Sequence, residues 1–148
     1  MDFLVAPLGM VSDESPSEAQ FTEETKDYFV EKNGVRFAGT HLIIDLWGAT
    51  NLDDPAHIDE VLREAAIETG ATILHGHFHH FQPNGGVSGV LVLAESHVSI
   101  HTWPEKNYAA LDIFVCGICD PYLAIPVLKR GFLPERVQLA EHRRGMQA

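Results

Sequence analysis

Six short stretches with the apolar content of β-strands, interrupted by only two with helical periodicity, limit what this chain can fold into. They are residues 40–48 (THLIIDLWG), 71–81 (ATILHGHFHHF), 87–95 (VSGVLVLAE), 97–103 (HVSIHTW), 108–116 (YAALDIFVC) and 135–143 (ERVQLAEHR). The second and third flank QPNGG, whose Asn-Gly-Gly suits a hairpin, and a PEKN loop separates the fourth from the fifth. Residues 53–70 (DDPAHIDEVLREAAIETG) predict a helix with an aspartate cap and Pro55 in its first turn. Ile58, Val61, Leu62, Ala65 and Ala66 run along one face, and Gly70 stops it. Residues 120–131 (DPYLAIPVLKRG) predict a second helix, with Pro126 expected to break its interior. Hairpin-linked strands with two helices imply an α+β fold: a two-layer sandwich, its largely antiparallel sheet carrying the helices on one face. The opposite face then needs a covering, such as a second subunit.

A chain of 148 residues that is 45% hydrophobic can build one core. Residues 1–36 hold eight acids against Lys26, Lys32 and Arg36, and SDESPSEAQ is of the kind that does not pack. They read as a mobile acidic extension with a short helix near residues 22–29, and 37–148 as the folded domain. No apolar run reaches the roughly 20 residues that cross a bilayer, and the amino terminus is acidic where a secretory signal is basic. The expectation is a soluble, cytoplasmic protein with no membrane partner. A net charge of −11 with no basic stripe repels phosphate backbones, which argues against nucleic acid and biases the chain toward a cationic ligand. The cysteines, Cys116 and Cys119, form a single C-G-I-C. One such pair cannot supply four metal ligands, and a cytosolic setting disfavours a disulfide.

Three groups of residues carry chemistry. In HGHFHH, period-2 alternation puts His75, His77 and His79 on one strand face, where imidazoles could ligate a metal. Three same-face positions span about 13 Å, too far to share one ion easily, so these histidines read as strand-face or pocket-lining groups, with His80 and Phe81 beside them. A nucleophile pair, Ser96 or Cys116 with His97 or His101, is the second possibility. Alternation separates Ser96, Val98 and Ile100 from His97, Ser99 and His101 unless the chain turns at Glu95-Ser96, and there is no G-x-S-x-G elbow.

The third group carries a resemblance. GVSGVLVLAESHVSIHTWPEKNYAALDIFVCG, preceded by GTHLIIDLWG and GATILHGHFHHF, is similar to the prokaryotic S-adenosylmethionine decarboxylase proenzyme family from about Gly39 to Gly145. The diagnostic string E-S-H-x-x-I-H-T-W-P-E is complete as Glu95 to Glu105. The resemblance implies that the Ser96 hydroxyl attacks the Glu95 carbonyl to form an ester, and that loss of the Ser96 α-proton then expels the Glu95 carboxylate. The chain is cut into 1–95 and 96–148. Hydrolysis of the resulting dehydroalanine leaves a pyruvoyl group on residue 96, which forms a Schiff base with the substrate amine and accepts the electrons released with carbon dioxide. No external cofactor or metal is implied.

By the same resemblance, Ser88 and His101 assist self-cleavage and Cys116 reprotonates the substrate α-carbon; the resemblance gives Cys119 no role, and it reads as structural. Phe81 and Trp103 contact an adenine or a sulfonium, while Glu105 accepts from ribose hydroxyls or faces the positive charge. The implied reaction yields decarboxylated S-adenosylmethionine for polyamine (spermidine) synthesis, by a homodimer or higher homo-oligomer of cut protomers with HGHFHHF near the subunit boundary. A pyruvoyl-dependent ornithine or arginine decarboxylase is the alternative, and a non-enzymatic partner has no need of Ser88, Ser96, His101 and Cys116 together. The chain departs from the family pattern at His80, where arginine is usual, at Trp47 and Ala49, where tyrosine and cysteine are common, in the longer QPNGG turn, and in residues 1–36.

Overall fold

The computed structural model describes residues 28–147. Residues 1–27, and most of the short helix expected near 22–29, lie outside them. The described part of the acidic extension includes a two-stranded antiparallel hairpin, β1 (Val30–Lys32) and β2 (Val35–Phe37). Beyond it follow β3 (Gly39–Trp47), α1 (Pro55–Glu68), β4 (Ile73–His80), β5 (Val87–Leu93), β6 (Ser96–Trp103), β7 (Tyr108–Cys116), α2 (Ala124–Phe132) and β8 (Arg136–Arg144). Strands β3 to β8 form one sheet in the order β4-β5-β6-β7-β3-β8, every neighbouring pair antiparallel. This is the expected α+β two-layer arrangement. Among the described residues no helix is long and apolar enough to cross a membrane.

Alternation along the strands decides which face is covered. Leu42, Ile44 and Leu46 of β3, Val98 and Ile100 of β6, and Leu111, Ile113 and Val115 of β7 are buried beneath the helices. Ile58, Leu62 and Ala65 of α1 and Val127, Leu128 and Phe132 of α2 close that core. The intervening residues form the opposite face, on which no described helix or strand packs.

Helix α1 starts where the sequence predicts: Asp54 accepts from the His57 amide at 3.2 Å, Pro55 follows, and Gly70 leaves the helix at φ +93°. The expectation for Pro126 needs correcting. A 3₁₀ turn (Pro121–Leu123), capped by Asp120, precedes α2, so Pro126 is the third helical residue. In a first turn its missing N–H has no intrahelical partner to lose, and the helix is unbroken. QPNGG joins β4 to β5 as a hairpin, and PEKN folds as a 3₁₀ turn ended by Asn107 at φ +51°.

Gly89 shows how tightly the β4–β5 hairpin meets the core. It pairs with Phe78, and a methyl group at Gly89 would stand 2.0 Å from the Phe78 ring. Gly89→Ala should therefore cost about 1–3 kcal/mol, seen as a lower urea midpoint with an unchanged slope. A midpoint equal to wild type would mean that the ring is not held against the strand.

Candidate active site

The residues singled out from the sequence fall at two ends of β6. At its start the Glu95 carbonyl accepts from the Cys116 amide at 2.9 Å, and Glu95 Oε1 accepts from the Thr72 amide at 2.8 Å. Antiparallel register produces this contact: β6 pairs with β7 through Ser96 and Val115, which leaves Cys116 opposite the turn. Ser96 itself has φ +135°, a conformation that a residue with a Cβ rarely adopts and that costs about 1–3 kcal/mol. The strained residue and the hydrogen-bonded carbonyl share one peptide bond, Glu95-Ser96.

Cys116 is half-buried at the end of β7. Burial pushes its thiol up, and the Glu95 carboxylate adds to the rise. A thiol so placed holds its proton at neutral pH and can donate it.

Ser88 and His101 lie toward the other end. They face each other across β5 and β6, with the Ser88 hydroxyl 2.9 Å from His101 Nδ1. His79 pairs with Ser88 from the edge strand, and its ring meets Phe81 edge-on at 4.5 Å. Trp103 and Phe81 are 41% and 45% exposed here, and Glu105 is exposed on the following 3₁₀ turn. Beside them Tyr108 stacks on Trp47 at 4.3 Å and tilts against Trp103 at 5.3 Å, with the Arg136 guanidinium 5.3 Å over Trp47. Tyr108 also donates to Asp45 at 2.7 Å, and this bond, then burial and the Asp45 charge, push its hydroxyl up to about 12.

Within one chain the two ends do not meet. Five residue steps of extended strand separate Ser96 from His101, about 17 Å. The chain thus brings together Glu95, Ser96 and Cys116, and separately Ser88, His101, Phe81, Trp103 and Glu105. His75, His77 and His79 lie along the exposed edge strand β4, on the uncovered face.

Between the two ends lies a cluster that the sequence reading missed. Asp112 accepts at Oδ2 from His41 Nε2 at 2.6 Å and from His97 Nε2 at 2.9 Å, and at Oδ1 from Ser99. Arg144 donates to His41 Nδ1 at 3.1 Å. A guanidinium has only donors, so Nδ1 of His41 is the acceptor and Nε2 carries the hydrogen. The donor atoms of His41, His97 and Asp112 lie within 4.8 Å of one another, as for a metal ligand set, but that tautomer makes them a closed hydrogen-bonded chain instead. The signal was present as an acid in the middle of the apolar β7, across from His97-Val-Ser99.

The family described as S-adenosylmethionine decarboxylase matches residues 40–145 of this sequence. The chain belongs to that family. An S-adenosylmethionine decarboxylase proenzyme of Thermomicrobium roseum is 45% identical over 109 residues, which cover 73% of this chain and 94% of the relative. A proenzyme of the same name from Methanococcus maripaludis strain C5 is 44% identical over 111 residues, covering 73% and 90%. The crystal structure of the adenosylmethionine decarboxylase of Aquifex aeolicus superposes with a TM-score of 0.66 at 36% identity, over 76% of this chain and 94% of that one. Membership makes the protein a decarboxylase, and both ends of β6 lie inside the matched region.

Asp112 offers a test of the central cluster. Burial alone would raise its carboxyl, but hydrogen bonds from Ser99, His41 and His97 outweigh burial and hold it below the usual carboxylate range. Because the folded value lies below the unfolded value of about 3.9, the carboxylate stabilises the fold above that pH and loses its contribution as pH falls through the lower folded value. The stability gap between wild type and Asp112→Asn should therefore narrow in urea unfolding as pH falls from about 5 through the lowered folded value. A gap that stays constant would contradict the cluster.

Proposed function

We propose that this chain is a self-processing, pyruvoyl-dependent decarboxylase of S-adenosylmethionine that cuts itself between Glu95 and Ser96. The observation that carries the proposal is the Glu95-Ser96 peptide: its carbonyl is held by the Cys116 amide, and its serine is held at a positive φ. Attack by the Ser96 hydroxyl turns the carbonyl oxygen into an oxyanion, and the Cys116 N–H already points at it. Formation of the ester frees Ser96 from the strained amide geometry. The residues present therefore fit a pyruvoyl group made from Ser96, which supplies an electron sink next to the substrate α-carbon.

Around that position Cys116 is the proton donor to the α-carbon. Its environment favours the neutral thiol, and cleavage strengthens this by placing the new Glu95 α-carboxylate nearby. Phe81 and Trp103 offer exposed rings to an adenine and a sulfonium, with Glu105 toward the ribose or the positive charge. The relatives' names support S-adenosylmethionine as the substrate and lend nothing to the ornithine or arginine alternative. Decarboxylated S-adenosylmethionine is the product on this reading, which places the reaction in polyamine synthesis.

Ser88 and His101 assist cleavage from a second copy of the chain. Within one protomer they lie about 17 Å away along the strand, while isologous pairing of the uncovered faces, with the β6 strands opposed, would bring one copy's Ser88 and His101 to the Glu95-Ser96 end of the other's β6. Val92 and Ile43 are also exposed on that face, at 41% and 44%, and such pairing would cover them. Each working site is then built from two chains, with the pockets at the subunit boundary.

The purified chain should convert on incubation to fragments 1–95 and 96–148, seen by intact mass, and then release labelled carbon dioxide from carboxyl-labelled S-adenosylmethionine but not from ornithine or arginine. Ser96→Ala should stay uncut and inactive. Cys116→Ala should cut itself, yet turn over about a hundredfold or more slowly, the usual cost of a lost general acid. A wild-type chain that stays whole would overturn the proposal, and full turnover by Cys116→Ala would remove the proton-donor role.

A further inference from the structure

The C-G-I-C sequence holds a second thiol that the proposed reaction does not use. Strand β7 ends at Cys116, and the chain then turns through Gly117, at φ +65°, and Ile118, which is 98% exposed. Cys119 comes back against the core beside the end of α1, where a methyl group on Gly70 would lie 3.9 Å from its sulfur. The neighbouring Asp120 amide donates to the Thr69 carbonyl at 3.0 Å and anchors that return. A four-residue turn brings its first and last Cα atoms within about 7 Å, and a disulfide needs about 4.4–6.8 Å.

The two thiols also share surroundings. Both are half-buried, burial pushes both up, and the Glu95 carboxylate acts on both, with Cys116 acting further on Cys119. Cys119 lines a cleft of about 570 Å³ whose walls include Phe29, Tyr122 and Arg143, so a small reagent can reach it from the helix side. No such opening is needed for a thiol that only fills the core.

We propose that Cys119 is the resolving thiol for Cys116: a small disulfide oxidant converts the pair into an intramolecular disulfide and reversibly removes the proton that Cys116 donates. The inference rests on the reading of Cys116 as proton donor. In the first step the Cys119 thiolate attacks one sulfur of the oxidant, whose S–S bond breaks and releases one thiolate. In the second, the Cys116 thiolate attacks the Cys119 sulfur and expels the other. Two protein thiols are oxidised, one disulfide is reduced to two thiols, and excess reduced thiol reverses both steps. Intracellular disulfides of this transient, redox-sensing kind are the exception to the general absence of such bonds in the cytosol. Since only thiolates react, oxidation should quicken as pH rises toward the raised thiol values.

The test treats the full-length, cut protein with oxidised glutathione and follows two readouts: intact mass after alkylation of free thiols, and carbon dioxide release. Wild type should lose both alkylation sites, retain no glutathione and drop about a hundredfold or more in turnover, and dithiothreitol should restore both the alkylation sites and the turnover. Before treatment Cys119→Ser should turn over as wild type does; after treatment it should finish with one glutathione on Cys116, and without turnover, because no second thiol displaces it. Wild type that finishes with glutathione on both cysteines, or with both still alkylatable, overturns the pairing. A disulfide that forms without loss of turnover overturns the switch. Mass does not depend on activity, so a disulfide formed by a protein that never decarboxylated S-adenosylmethionine would sink the reading of Cys116, and the switch with it, while the bond itself stood.

Discussion

The antiparallel register of β5, β6 and β7 is the constraint on which the rest depends. One registration sets the Cys116 amide on the Glu95 carbonyl, Ser88 opposite His101, and Asp112 opposite Ser99. A slip of one residue would turn every one of these side chains to the other face and expose Val98, Ile100, Leu111 and Ile113 in their place. The apolar residues beneath the helices thus hold the polar ones above in their relative positions. Core packing and the candidate site are two faces of the same alternation.

Much of this was legible in the chain. The capping aspartate, Pro55 and a five-residue apolar face define α1 almost wholly by local rules, and the strands announce themselves by alternation. The E-S-H string points to Ser96 as the proposed site of cleavage. Three things were not legible. Pro126 was misread because whether a proline is interior or in a first turn depends on where the helix begins, and a short 3₁₀ turn moved that start. The His41–Asp112–His97 cluster joins residues 71 and 15 positions apart, brought together only when β3 and β6 both pair with β7. The separation of Ser96 from His101 was read as a difference of strand face, and its length along the strand was not drawn, because a family motif written as one continuous string suggests one continuous site.

That separation gives the uncovered face its meaning. Its row of Trp103, Tyr108, Trp47 and Arg136 is a stacked aromatic ladder ending in a cation, and its middle is a carboxylate satisfied by two histidines and a serine. Trp47 stands where the family more often has tyrosine, and here it is part of the ladder: its indole donates to Gln138 at 2.7 Å and its ring stacks on Tyr108. The departure thus alters the lining of the aromatic end and leaves Glu95, Ser96 and Cys116 untouched.

The central claim is that one chain supplies Ser96 and another supplies Ser88 and His101. Complementation between two defective chains tests it most directly. Ser96→Ala and His101→Ala, each slow or unable to cut itself alone, are co-expressed with different tags and isolated as the mixed pair, and cleavage is followed by intact mass. The account predicts that the His101→Ala chain, whose serine now faces an intact histidine, is cut in the mixed pair, while the Ser96→Ala chain stays whole. Mixed pairs in which neither chain is cut faster than in its own homo-oligomer would contradict it.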